Sequence, residues 1–310
     1  MQSDIQMYEI DQAIQKGVNY LVLNQHDDGS IYLENETRWQ IWETANAIIT
    51  VNKVDNEKKT FLKNGIQYLL DVQKDDGSFY YTKSMKPEEY CMETTAIALL
   101  ALDIEDKNVE TGIDFLVQKQ LKDGSWDIGT PGITKRRRWP SVTGFVLNTL
   151  LQLKASDNVI QKGIDFITKQ QHFDGSWGTN WVYYDTPYYP IYIILSTLKL
   201  YGLQEKVFYQ QAVNFVIKNQ QKNGSWNIKT TDKPRPSASL RTSLALYSLL
   251  LSPSKVNKEI IGKGMKWLIQ QQKSNGSWDG GYFVNWPGKK EDIFTTSLAL
   301  QSLKKYSNIH

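Results

Sequence analysis

Residues 170–181 read QQHFDGSWGTNW. Gln171 is followed four residues later by Gly175-Ser176-Trp177, and the chain writes nearly this phrase six times, with Ile31 and Phe79 in place of the tryptophan in the first two. The glycine of each Gly-Ser pair stands at Gly29, Gly77, Gly124, Gly175, Gly224 and Gly276, at intervals of 47 to 52 residues. A glutamine lies four residues before every one: Gln25, Gln73, Gln120, Gln171, Gln220 and Gln272. Five residues before each glutamine is an aromatic (Tyr20, Tyr68, Phe115, Phe166, Phe215, Trp267), and three earlier again a small residue (Gly17, Gly65, Gly112, Gly163, Ala212, Gly264). A fixed period near 50 residues is the signature of a repeat architecture.

Each repeat carries two helical segments. The first, such as VETGIDFLVQKQ (109–120), is apolar on one stripe and stops at the polar Asp/Asn-Gly-Ser turn. The second, such as TTAIALLALDI (94–104) or TSLALYSLLL (242–251), is apolar almost all round. A helix apolar all round is buried, and one with a stripe lies outside. The pattern therefore predicts an all-α fold, six outer-inner helix pairs closed into an (α/α)6 barrel. Closure would explain why neither end carries the polar capping repeat of an open solenoid. A single domain over 1–310 is expected, with repeats near 10–56, 57–106, 107–156, 157–204, 205–256 and 257–307. In the turn, glycine supplies the left-handed conformation. The glutamine amide is placed to bond neighbouring backbone and the tryptophan to pack over it, a structural role.

Composition narrows the function. The chain has 310 residues, 40% hydrophobic and 12% aromatic, enough for a sizeable core. A net charge of +3 is too small to argue for nucleic acid. Cys91 is the sole cysteine, so neither an internal disulfide nor a cysteine zinc cluster can form. The N-terminal MQSDIQMYEIDQ lacks a basic region followed by an apolar run, and no stretch approaches a membrane span. A soluble, cytoplasmic protein is expected.

The repeats carry a family resemblance. KGVNYLVLNQHDDGSI (16–31), KGIDFITKQQHFDGSW (162–177) and KGMKWLIQQQKSNGSW (263–278) resemble the QW motifs of triterpene cyclases. WGTNWVYYDT (177–186) looks like a stretch of squalene–hopene and oxidosqualene cyclases. The resemblance covers essentially the whole chain and implies the terpene cyclase and protein prenyltransferase barrel, here in a single copy where the full triterpene cyclases have two.

Class II members of that superfamily resemble one another in an Asp-x-Asp-Asp motif at the start of an inner helix, whose middle Asp protonates an alkene or epoxide. Aligned on their threonines (Thr44, Thr95, Thr143, Thr242, Thr296, with Ile191 in the fourth), no inner segment has that motif. CMETTA (91–96) comes nearest and places Glu93 where the resemblance implies the proton donor. Glu43 in WETA (42–45) and Asp292 supply further acids at neighbouring registers. The competing reading of Glu93 and Glu43 is that they serve their helix N-termini, where the dipole favours negative charge. The zinc site of the prenyltransferases is not expected: the histidines are His26, His172 and His310, none on an inner segment with Cys91. No metal or other cofactor is expected, except magnesium accompanying a diphosphate substrate.

The loops between each turn and the next inner segment separate charge. Repeats 1 and 2 are acidic there (Glu34, Glu36, Glu88, Glu89), repeats 3 and 5 basic (Lys135, Arg136, Arg137, Arg138, and Lys233, Arg235, Arg241). Guanidinium clusters suit phosphates and sulfates; a solvated surface run is the alternative. Aromatics crowd the same region, among them Trp42, Trp139, Tyr189 and Phe294. Aromatic faces stabilise cations, and they also line apolar pockets or pack cores. The expected function is proton-initiated cyclisation of an isoprenoid. Glu93 would be the acid, supported by Glu43 or Asp292. The basic residues Arg136–Arg138, Lys233, Arg235 and Arg241 would hold an anionic head, and the four aromatics would guide cations. The alternatives are a non-catalytic isoprenoid-binding barrel, and a subunit that uses the charged mouth to hold a peptide, a partner chain or a second barrel.

Overall fold

The structure is a computed structural model that describes residues 6–33, 39–80, 89–103, 109–129, 138–178, 186–228, 237–252, 256–281 and 292–309. Twelve α-helices occur among them and no named strand. The outer helices are α1 (Met7–Leu23), α3 (Lys59–Val72), α5 (Glu110–Gln118), α7 (Asp157–Lys169), α9 (Val207–Lys218) and α11 (Lys258–Gln270). The inner helices are α2 (Gln40–Val54), α4 (Met92–Leu102), α6 (Pro140–Gln152), α8 (Tyr188–Leu200), α10 (Ala238–Leu249) and α12 (Asp292–Ser307). Each inner helix packs on the next, and α12 packs on α2 and α1, so the ring is closed. The inner helices are buried nearly all round; the outer ones bury one stripe that includes a small residue at the repeated position.

The repeated turn is the closing device of this ring. Gln171 Nε2 donates to the Gly175 carbonyl at 3.0 Å and to Phe208 O of the next outer helix at 2.8 Å. Gln25, Gln120 and Gln220 reach Phe61 O, Val159 O and Ile260 O in the same way. Gln272 reaches Ala13 O at 2.8 Å, joining the last repeat to the first. Trp126, Trp177, Trp226 and Trp278 are fully buried, and each indole N–H donates to a carbonyl near the end of its own outer helix (Leu116, Ile167, Val216, Leu268). The aligned threonines serve the same turn. Thr44, Thr95, Thr143, Thr242 and Thr296 each accept the backbone N–H of the residue after Gly-Ser, at 2.8–3.2 Å. Between inner helices, Thr149, Thr197 and Ser302 donate to Ala96, Gly144 and Ser243 carbonyls of the preceding inner helix. Small hydroxyl residues allow the close packing these bonds need and satisfy polar atoms that water cannot reach.

Candidate active site in the barrel lumen

Counted from the aligned threonine, the positions two before and two, five and nine after lie at spacings of four, three and four, and so on one helix face. On α2 these are Trp42, Asn46, Ile49 and Lys53; on α4, Glu93, Ile97 and Leu100; on α6, Ser141, Phe145, Asn148 and Gln152. That face points into the ring. Trp42 meets Phe145 with centroids 5.4 Å apart and Phe294 at 5.5 Å. Phe145 meets Tyr189 at 5.6 Å and Tyr192 at 6.0 Å; Tyr189 meets Phe294 at 6.3 Å, and Tyr192 meets Tyr247 at 5.4 Å. Five inner helices thus send rings to one cluster, and α4 sends an acid.

Glu93 is 5% exposed, in the first turn of α4. The Ser141 hydroxyl, at the same register on α6, donates to its Oε1 at 3.3 Å. The thiol and phenols around it are held neutral. Burial, and then the charge of Glu93, push the Cys91 thiol up to about 11, against opposing hydrogen bonds from the Thr94 side chain and the Thr94 and Glu93 backbone. Burial, then Tyr247, then Glu93 hold the Tyr192 phenol well above its ordinary range. Burial lifts Tyr247 to about 12.

Space remains beside this cluster along α2 and α4. Trp42, Ile49 and Ile97 keep 6–8% exposure, while Leu240 and Leu244 on α10 and Phe294 on α12 keep none. Exposure rises along the inner helices from their N-terminal to their C-terminal ends: Leu100 and Gln301 are partly exposed, and Lys53, Gln152 and Leu200 exposed.

The sequence candidates divide accordingly. Glu93, Trp42, Tyr189 and Phe294 come together in the lumen. Glu43 is buried one residue past Trp42, about 100° round α2 from the lumen face. Asp292 opens α12, its side chain outside the described residues. Trp139 is the N-cap of α6 and packs against the core from a partly buried position. Of the basic set, Arg136, Arg137, Lys233 and Arg235 lie outside the described residues, as do most of the charged loops. Arg138 is exposed and paired with Asp123 of its own repeat's turn. Arg241 is buried in α10, close enough to Tyr188 to favour ionisation of its phenol, though burial dominates and raises that phenol's pKa. Sequence reasoning counted Tyr192 among the aromatics crowding this region and did not single out Ser141, Phe145 or Tyr247. The four-three-four register from the threonine would have found Ser141, Phe145 and Tyr247. Among the described residues no group of three His, Cys, Asp or Glu is placed to hold a metal ion.

The family model for the squalene–hopene cyclase C-terminal domain matches residues 1–134 and 139–295. The chain belongs to the squalene–hopene cyclase C-terminal domain family. Among curated relatives of this domain, the squalene–hopene cyclase of Zymomonas mobilis is 27% identical over 144 residues, 42% of the chain and 21% of that protein. That of Bradyrhizobium diazoefficiens is 22% identical over 229 residues, 61% of the chain and 34% of that protein. The chain spans between 21% and 34% of the length of the curated relatives it matches. Among solved structures, the type II terpene cyclase MstE from Scytonema, in complex with geranylgeranyl dihydroxybenzoate, superposes with TM-score 0.79 at 18% identity, covering 98% of this chain and 99% of that one. The ent-copalyl diphosphate synthase of Streptomyces platensis does so with TM-score 0.64 at 15% identity, covering 87% of this chain and 50% of that one. These structures share the fold, an all-helical terpene-cyclase toroid. No described helix is long and apolar enough to cross a membrane.

Proposed function

We propose that this class II terpene cyclase-like protein cyclises an isoprenoid by protonation, with Glu93 as the donor. The supporting observation is the placement of Glu93: a buried carboxyl on the lumen face, hydrogen-bonded by Ser141 and set beside an aromatic cluster. Burial in general disfavours the charged form of a carboxyl, and the protonated form is the one that can act as acid. The proton moves from the carboxyl to a terminal alkene carbon. The alkene electron pair becomes the new C–H bond and leaves a tertiary carbocation. An internal alkene attacks it, forming a C–C bond and moving the cation along the chain past Trp42, Phe145, Tyr189 and Phe294, whose ring faces stabilise positive charge. Loss of a proton from the carbon beside the last cation, back to the Glu93 carboxylate, closes a net isomerisation. Glu43 and Asp292 are the supporting acids of this reading. The mouth cations of repeats 3 and 5 are head-group candidates at the Glu93 end, and the opposite end of the lumen offers an alternative.

The test is incubation of the purified protein with farnesyl diphosphate, geranylgeranyl diphosphate, squalene and oxidosqualene, with products read by gas chromatography–mass spectrometry after phosphatase treatment. Glu93→Gln keeps the shape and removes the acid; turnover is expected to fall by about 10²–10⁴-fold, the usual worth of a positioned acid. Equal product from wild type and Glu93→Gln would refute the assignment. Retained binding with no turnover in either would leave the isoprenoid-binding barrel as the function.

A further inference from the structure

The lumen ends at the C-terminal ends of the inner helices in a cluster of three lysines. Lys53 on α2 and Lys305 on α12 share one register, nine residues past the threonine, on helices that pack together; Lys199 lies in the last turn of α8. Lysines commonly compensate the carbonyl dipole at helix ends, and Lys199 does so by donating to Leu251 O. Lys305 does something else: its Nζ stands 4.9 Å over the Tyr247 ring, the ring that meets Tyr192 in the aromatic cluster. Burial lowers Lys305 to about 8, and Lys199 and then Lys53 add to the depression by repulsion. Burial lowers Lys53 as well, although its side chain keeps contact with water. Of the carboxylates described at this end, Asp55 pairs with Lys58 at 3.8 Å and Glu259 with Lys263 at 2.6 Å, Asp103 is exposed at the end of α4, and Glu9, Glu57, Glu110, Asp157 and Glu205 stand on the outer side, in the connections and first turns of the outer helices. Polar side chains continue the wall: Gln301 Nε2 bonds Thr50 Oγ1, and Gln152 Nε2 bonds Asn148 Oδ1, both at 2.8 Å.

We propose that this vestibule is the seat of a phosphorylated head group, held by Lys53, Lys199 and Lys305, with the attached hydrocarbon running along α2 and α4 towards Glu93. This rests on the isoprenoid reading above and deepens it by naming the substrate class as a prenyl phosphate or diphosphate entering from the end opposite the turn loops. Compact ammonium groups are phosphate binders, and a dianion would relieve the repulsion that Lys199 and Lys53 exert on Lys305. The eleven residues between the registers of Glu93 and Lys305 span about 16 Å of helix axis. At about 1.2 Å per backbone bond, that is roughly three to four extended isoprene units.

The experiment is calorimetric titration of the full chain with inorganic diphosphate. Wild type is compared with Lys53→Gln/Lys305→Gln, with the charge-keeping Lys53→Arg/Lys305→Arg, and with Lys169→Gln on the outer ring. Binding is expected in wild type. The glutamine pair should weaken it at least tenfold, the arginine pair should retain it, and Lys169→Gln should leave it unchanged. Circular dichroism confirms that each variant is folded. As a second reading, added diphosphate should protect Lys305 from acylation, located by peptide mass spectrometry. No binding in wild type, equal loss in Lys169→Gln, or unchanged binding in the glutamine pair would overturn the proposal. So would loss of binding to phosphatidylglycerol vesicles with diphosphate binding intact, since the lysines would then face a lipid surface. Diphosphate binding is independent of turnover. Failure of Glu93→Gln to alter catalysis would sink the proton-donor assignment and leave this site standing.

Discussion

Glycine in the repeated turn answers two demands, and they can be separated by substitution. Gly124 has φ +88, and a Cβ there would stand 2.2 Å from the Lys162 carbonyl oxygen of the next outer helix. Gly202, after α8, has φ +84 and open space around it. Gly202→Ala is expected to cost about 1 kcal/mol, the left-handed penalty alone. Gly124→Ala adds a backbone collision and should cost about 3 kcal/mol or more. Urea denaturation of both variants checks the difference; equal losses would mean that close approach is not why glycine is required. The left-handed turn was legible from Asp/Asn-Gly-Ser. The close approach was not, because the atom it avoids belongs to a helix nearly forty residues away. Glu93 shows the same division. Its place in CMETTA is readable, while the Ser141 hydroxyl that meets it depends on how α4 and α6 pack.

At the scale of the element, each inner helix is tied to its repeat by one threonine hydroxyl. Thr143 Oγ1 accepts the Trp126 N–H in a fully buried setting. Thr143→Val keeps the shape and leaves that N–H unpaired, an expected loss of about 1–3 kcal/mol. Chemical denaturation measures it, and an unchanged midpoint would refute the role. The threonine column was visible in the sequence as a register mark. Its work was not, since hydrogen bonding across the repeat requires the turn to fold back over the helix start. The inner helices were recognisable because they are apolar on all sides. That same uniformity hid which stripe faces the lumen, and with it Phe145 and Tyr247. The few polar side chains on the stripe, Glu93, Asn148, Gln301 and Lys305 among them, were the available clue.

Across the whole molecule, closure makes the last repeat equivalent to an internal one. Gln272 bridges to Ala13 with the same geometry that Gln171 uses to reach Phe208. Gln272→Ala and Gln171→Ala should therefore cost similar amounts, about 1–3 kcal/mol each, within a single unfolding transition. In an open array the terminal bridge would release its edge repeats with little global loss. A separate early transition, seen by hydrogen exchange in α1 and α11 of Gln272→Ala, would count against closure.

What the sequence determined by itself is periodic. Six repeats, two helices in each, inner against outer, and a turn built on Gln, Gly, Ser and Trp all follow from residue spacing, because helical periodicity and turn chemistry are local. Only the tertiary structure decided what the ring encloses. It drew Trp42, Phe145, Tyr189, Tyr192 and Phe294 around a lumen beside Glu93, paired Arg138 with Asp123, and gathered Lys53, Lys199 and Lys305 at one end. Those groupings join residues from every part of the chain. They exist because the closed ring turns one stripe of each inner helix towards a common axis, and the sequential order of the residues does not record which stripe that is.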